Sequence, residues 1–141
     1  MAKRMQGQIR FKIIGDGAQK SALREALVST GVDNVELLPP MKRAQLIAAY
    51  QAADVLFLHL NGYDAFKKVL PSKLFEYGAM RKPIWAGISG YAAEFVRAEL
   101  NNTAVFDPCD AAEAERVFGQ LRLQDESRVR FEAKFARKNI A

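Results

Sequence analysis

Pro71-Ser72-Lys73, followed by Glu76, is the stretch whose residue types and spacing could do chemistry. Pro71 suits the first turn of a helix, and Ser72 can cap one. Free N–H groups at a helix start, the positive end of its dipole and the Lys73 ammonium together favour a bound anion such as phosphate. Glu76, four residues after Ser72 and three after Lys73, shares their face. A carboxylate there repels phosphate, yet it accepts two hydrogen bonds from a vicinal diol such as ribose. An anion at the first turn and a diol one turn in is a way to hold a nucleoside diphosphate. The same spacing also permits a solvent-facing Glu76 paired with Lys73, and on spacing alone both readings stay open.

Two glycine-bearing stretches have the same ambiguity. Gly15-Asp16-Gly17 reads as a strand-to-helix turn whose glycines permit close backbone approach by a phosphate or a sugar; an ordinary turn needs the same geometry. Gly87 and Gly90 flank a loop at a strand end, and Tyr91 begins a helix that carries Glu94. His59 is the only histidine and Cys109 the only cysteine. His59 reads as a hydrogen-bonded histidine at the edge of the core, and Cys109 as inert, with no base beside it in sequence. The expectation is no cofactor and no protein-bound metal. Neither a P-loop nor a nucleophile elbow is present.

The elements that must position these residues alternate. Strand signals fall at 9–15, 34–38, 54–60, 82–87 and 103–107. Helical periodicity falls at 19–31, 43–53, 72–80, 91–100, 111–122 and 125–139, the last with Phe131 and Phe135 one turn apart. Near-continuously apolar strands separated by helices predict an α/β fold, a Rossmann-like doubly wound parallel sheet of about five strands with helices on both faces. Residues 1–141 read as one domain. The ends look cut: Ala2–Gln6 resembles the last turn of a helix broken at Gly7, and the chain stops after Lys138-Asn139-Ile140-Ala141 without a helix terminator.

Half of the 141 residues are apolar and 26% charged, which excludes a disordered chain. No apolar run approaches the roughly 20 residues of a membrane span, and no signal peptide opens the chain. The net charge of +5 favours anionic partners weakly, and no nucleic-acid motif accompanies it. One cysteine fits a cytoplasmic location.

Taken together, FKIIGDGAQKSALREAL (11–27), DNVELLPPMKRAQLIAAYQAADVLFLHL (33–60), LPSKLFEYGAMRKPIWAG (70–87) and GYAAEFV (90–96) resemble the C-terminal, nucleotide-sugar-binding domain of GT-B glycosyltransferases. The likeness is to the retaining group that builds bacterial surface polysaccharides, family four. It implies the donor-binding part of an enzyme that moves a sugar from a UDP- or GDP-linked donor to a hydroxyl acceptor. It also implies that Glu76 holds the donor ribose and that the amides at Ser72 and Lys73 hold the diphosphate, beside Gly15 and Gly17. Pro39, Pro40 and Met41 fall on the base side, and Gly87, Gly90 and Tyr91 near the donor. Lys68 stands where the family has a glutamate that contacts the transferred sugar.

The resemblance further implies that the acceptor domain and the opening strand of this domain are missing, so that the chain alone would be inactive. The full enzyme would work in the cytoplasm, peripheral to the inner membrane. In the family the strand order is 3-2-1-4-5-6. Without the first strand, closure of the gap predicts order 2-1-3-4-5 here, with the first and third strands paired directly. A UDP-sugar epimerase of the same architecture and a non-catalytic flavodoxin-like module are the alternative readings.

Overall fold

The computed structural model describes residues 2–15, 20–60, 68 and 70–135. The chain divides into two compact units, Met1–Ala48 and Ala49–Ala141.

In the first unit, β1 (Phe11–Ile14) pairs in parallel with β2 (Val35–Leu38), from Phe11 opposite Val35 to Ile14 opposite Leu38. Helix α1 (Lys20–Thr30) connects them. It ends where the sequence requires, at Gly31 with φ of 68°. The Val32 amide donates to the Leu27 carbonyl and the Gly31 amide to Val28, both 3.3 Å, so a left-handed residue satisfies carbonyls that the helix leaves open. A 3-10 turn at Lys3–Met5 precedes β1. Buried Asn34 ties it down: its Nδ2 donates to the carbonyls of Ala2 (3.0 Å) and Ile9 (2.9 Å). Helix α2 (Arg43–Ala52) runs across the boundary into the second unit.

The second unit contains β3 (Leu56–His59), α3 (Lys73–Ala79), β4 (Ile84–Gly87), α4 (Gly90–Glu99), β5 (Thr103–Phe106), α5 (Ala111–Phe118) and α6 (Val129–Phe135). Its strands are parallel in the order β3-β4-β5, with His59, Gly87 and Phe106 in register at their carboxyl ends. All four β4 residues are buried, as the central strand of a sheet covered on both faces must be. On one face, Leu56, Leu58, Ile84, Ala86 and Ile88 meet Leu74 and Tyr77 of α3, Ala92 and Val96 of α4, and Phe131 of α6. Phe75, Phe95, Phe131 and Phe135 close this layer, with ring centroids 5.0–6.5 Å apart. On the other face Trp85 packs against Phe118 of α5, and its Nε1–H donates to the Ala114 carbonyl at 3.0 Å. Helices on both faces of a parallel sheet are the doubly wound arrangement that the sequence predicts.

The sheet does not close as expected. The strands form two hydrogen-bonded sheets, β1-β2 and β3-β4-β5, and among the described residues no pairing joins β1 to β3. Each sheet keeps its own parallel register. The last helix also begins later than predicted, at Val129 rather than 125, because the preceding backbone is used elsewhere.

That backbone crosses the amino ends of β4 and β5. The Glu126 amide donates to the Arg81 carbonyl at 2.9 Å, and Arg81 pairs with Glu132. Asn102 donates to the Arg122 carbonyl and accepts from the Arg122 amide, both at 2.9 Å. Arg128, 2% exposed, donates to the carbonyls of Lys82 (2.7 Å), Asn101 (2.9 Å) and Gly78 (3.4 Å). Burial pushes its guanidinium down to about 10, against the opposing pull of Glu126 and Glu132.

Candidate functional site

Helix α3 starts at the carboxyl end of the three-stranded sheet, and one side of it is fixed. Leu74, Tyr77 and Gly78, at i, i+3 and i+4, are buried. The Tyr77 hydroxyl donates to the Phe57 carbonyl of β3 at 3.1 Å. Burial, then the nearby Tyr50 and Glu76, raise its pKa, so it remains a donor at any physiological pH. Gly78 is needed where it stands: a Cβ there would lie 2.4 Å from the Phe131 ring. With this rotation set, Ser72, Lys73 and Glu76 fall on the side opposite the core. Ser72 and Lys73 are exposed and Glu76 is half-buried.

Ser72 does not act as a cap. Its backbone is itself helical (φ −60°, ψ −29°) and its side chain makes no capping bond. The first turn is closed by backbone bonds instead, Leu74 N–H to the Pro71 carbonyl and Phe75 N–H to the Ser72 carbonyl, both 3.1 Å. The helical start is therefore set by Pro71, whose fixed φ suits it.

Helix α4 also starts at the carboxyl end. Ser89 is extended, Gly90 has φ of 63° and Tyr91 is 53% exposed. Gly87 serves packing: a Cβ on it would lie 2.4 Å from the His59 ring and 2.7 Å from the Phe106 ring, its register neighbours on either side. The rings of His59, Phe57 and Phe106 form a triangle, with His59 6.4 and 6.2 Å from the other two centroids, and His59 accepts at Nε2 from the Cys109 amide at 2.9 Å. Its partial burial lowers its pKa. Cys109 has φ of 67°, a left-handed conformation that costs a non-glycine residue on the order of 1 kcal/mol.

The carboxyl end of β1-β2, in the first unit, holds the other predicted positions. Gly15 has φ of 134° and open space where a Cβ would stand. Pro39 and Pro40 are exposed and Met41 half-buried after β2. Asp16 and Gly17 lie outside the described residues. Lys20 was missed by the sequence reading. Its Nζ donates to the carbonyls of Gly15 (2.8 Å) and Leu38 (3.2 Å), tying the two strand ends together. The signal was present, because a cation in the first turn of a helix opposes the dipole and calls for other partners.

The three-stranded sheet thus has two helix starts and an outward carboxylate at its carboxyl end, the edge where open α/β sheets take their ligands. The glycosyl transferases group 1 family model matches residues 1–138. The chain belongs to this family of glycosyltransferases, which transfer sugars from activated donors to acceptors. No curated protein and no solved structure matches the chain. Among the described residues no helix is long and apolar enough to cross a membrane.

Proposed function

We propose that this chain is the donor-binding part of a retaining, family-four type glycosyltransferase that takes a sugar from a UDP- or GDP-linked donor. The acceptor is a hydroxyl in surface polysaccharide or glycoconjugate synthesis. The observation that carries the reading is the orientation of α3, which is anchored through Tyr77 and turns Glu76 away from the core. In this reading Glu76 accepts from the ribose hydroxyls, and the Ser72 and Lys73 amides with the Lys73 ammonium meet the diphosphate. Gly87 shapes the strand end, while Gly90 and Tyr91 border the donor. The resemblance assigns Gly15 and Gly17 to the diphosphate and Pro39, Pro40 and Met41 to the base.

In the transfer, the bond from the anomeric carbon to the diphosphate oxygen breaks, one to the acceptor oxygen forms, and the acceptor's hydroxyl proton passes to the departing diphosphate oxygen or to water. Negative charge develops on the leaving diphosphate, where fixed amide dipoles and an ammonium stabilise it without reorganising. No protein-bound metal is assigned a part in this step. Lys68, exposed, replaces a carboxylate that would contact the sugar, so the reading gives it no sugar hydrogen bond to accept. The acceptor domain, the cytoplasmic setting and the inner-membrane face belong to the same proposal.

Calorimetric titration with UDP, GDP and ADP tests it. One nucleotide is expected to bind, and Glu76→Gln to weaken it roughly ten-fold, about 1.4 kcal/mol. Equal affinity in the variant, or no binding at millimolar nucleotide, overturns the reading.

A further inference from the structure

The His59–Cys109 contact is used by neither the fold's core nor the donor reading. It links the carboxyl end of β3 to the turn after β5, across the end of β4. An N–H donor can meet Nε2 only if that nitrogen is unprotonated, so the ring is neutral with its proton on Nδ1. Cys109 lies inside the turn that the Asp110 amide closes by donating to the Asp107 carbonyl (3.1 Å), and the Asp110 side chain caps α5 by accepting from the Glu113 amide at 3.0 Å. The left-handed Cys109 is the strained member of this turn, and its amide is the group that His59 holds.

We propose that His59 is a pH-sensitive latch: its neutral ring fixes the Asp107–Asp110 turn at the carboxyl end of the sheet, and its protonation releases that turn.

The physical reason is the sign of the contact. Protonated Nε2 is a donor facing a donor, and the amide loses its acceptor. Toward β4 the ring already lies over Gly87, where a Cβ would stand 2.4 Å from it and 2.7 Å from the Phe106 ring. Among the described residues, the ring and strand neighbours of His59, Phe57, Gly87 and Phe106, are uncharged. The charged groups of the turn and of the first two α5 turns are Asp107, Asp110, Glu113, Glu115 and Arg116. Glu113 and Arg116 pair with each other at 2.6 Å. Burial of the ring shifts the release to lower pH than an ordinary imidazole.

The latch is tested on the intact chain by amide and imidazole NMR between pH 4.5 and 8. At the upper end the ring is expected as the Nδ1–H tautomer. The Cys109 amide shift is expected to follow the ring's titration, with a midpoint below about 6.5, and the Asp110–Glu113 amides to move with it. His59→Gln keeps an uncharged acceptor and should flatten that transition. His59→Phe should move the Cys109 amide at every pH, and Asp107→Asn with Asp110→Asn should leave the midpoint in place. A Cys109 amide that stays still while the ring titrates overturns the latch, as does an Nε2–H tautomer at pH 8. Should the amides follow His59 while no nucleotide binds, the latch holds and the donor reading is what fails.

Discussion

The two ends of the β3-β4-β5 sheet are built by opposite means. At the amino end, the backbone between Arg122 and Arg128 is drawn over the turns before β4 and β5, and Arg128 saturates their carbonyls from a buried position. At the carboxyl end, the neighbouring turns carry glycine, two helix starts and exposed Ser72, Lys73 and Tyr91. Satisfied polar groups confer rigidity, whereas unsatisfied donors at a surface confer the capacity to bind. The difference marks the amino end as scaffold and the carboxyl end as the one the proposed donor reading uses.

Substitutions can break that contrast. The largest effect is expected from Arg128→Ala, which strands carbonyls in three turns: a loss of about 3 kcal/mol in denaturant unfolding. Nucleotide affinity of the folded protein should change little. Gly87→Ala forces a methyl into the His59 and Phe106 rings and should cost about 2 kcal/mol. Unlike the first variant, it should also shift the Cys109 amide. Glu76→Gln should cost less stability than either of these while it weakens nucleotide binding. A larger loss would make Glu76 part of the scaffold.

The smallest expected effect is on pH dependence. His59 has a lowered pKa in the folded chain, so the unfolded chain binds its proton first. Its contribution to stability is fully present above the ordinary imidazole value and is lost as pH falls from there through the folded value. Thermal unfolding of the wild type against His59→Gln across this window should show the loss only in the wild type.

The sequence made the alternation of strands and helices legible, because buried parallel strands must be apolar and their helices periodic. It also marked α3, through Pro71 and the spacing of Ser72, Lys73 and Glu76. Ser72 misled because its residue type permits a cap, while its actual φ and ψ are set by the chain on either side. Strand pairing was illegible for a related reason. β1 and β3 have the composition of strands in any register, and nothing local states which edges meet. Arg128 was hidden, and so was the partner of His59, because the contacts run to backbone groups 27 to 50 positions away, which carry no sequence signature.

The central claim, that the carboxyl end is the binding end, is tested most directly by mapping amide shifts while UDP, GDP and ADP are added in turn. The account predicts that one nucleotide moves the amides of Ser72–Glu76 and of Ile88–Tyr91. Those of Asn101, Asn102 and Arg128 should stay in place, and the shifts should vanish in Glu76→Ala. Shifts gathered at the amino end, or none at millimolar nucleotide, would contradict it.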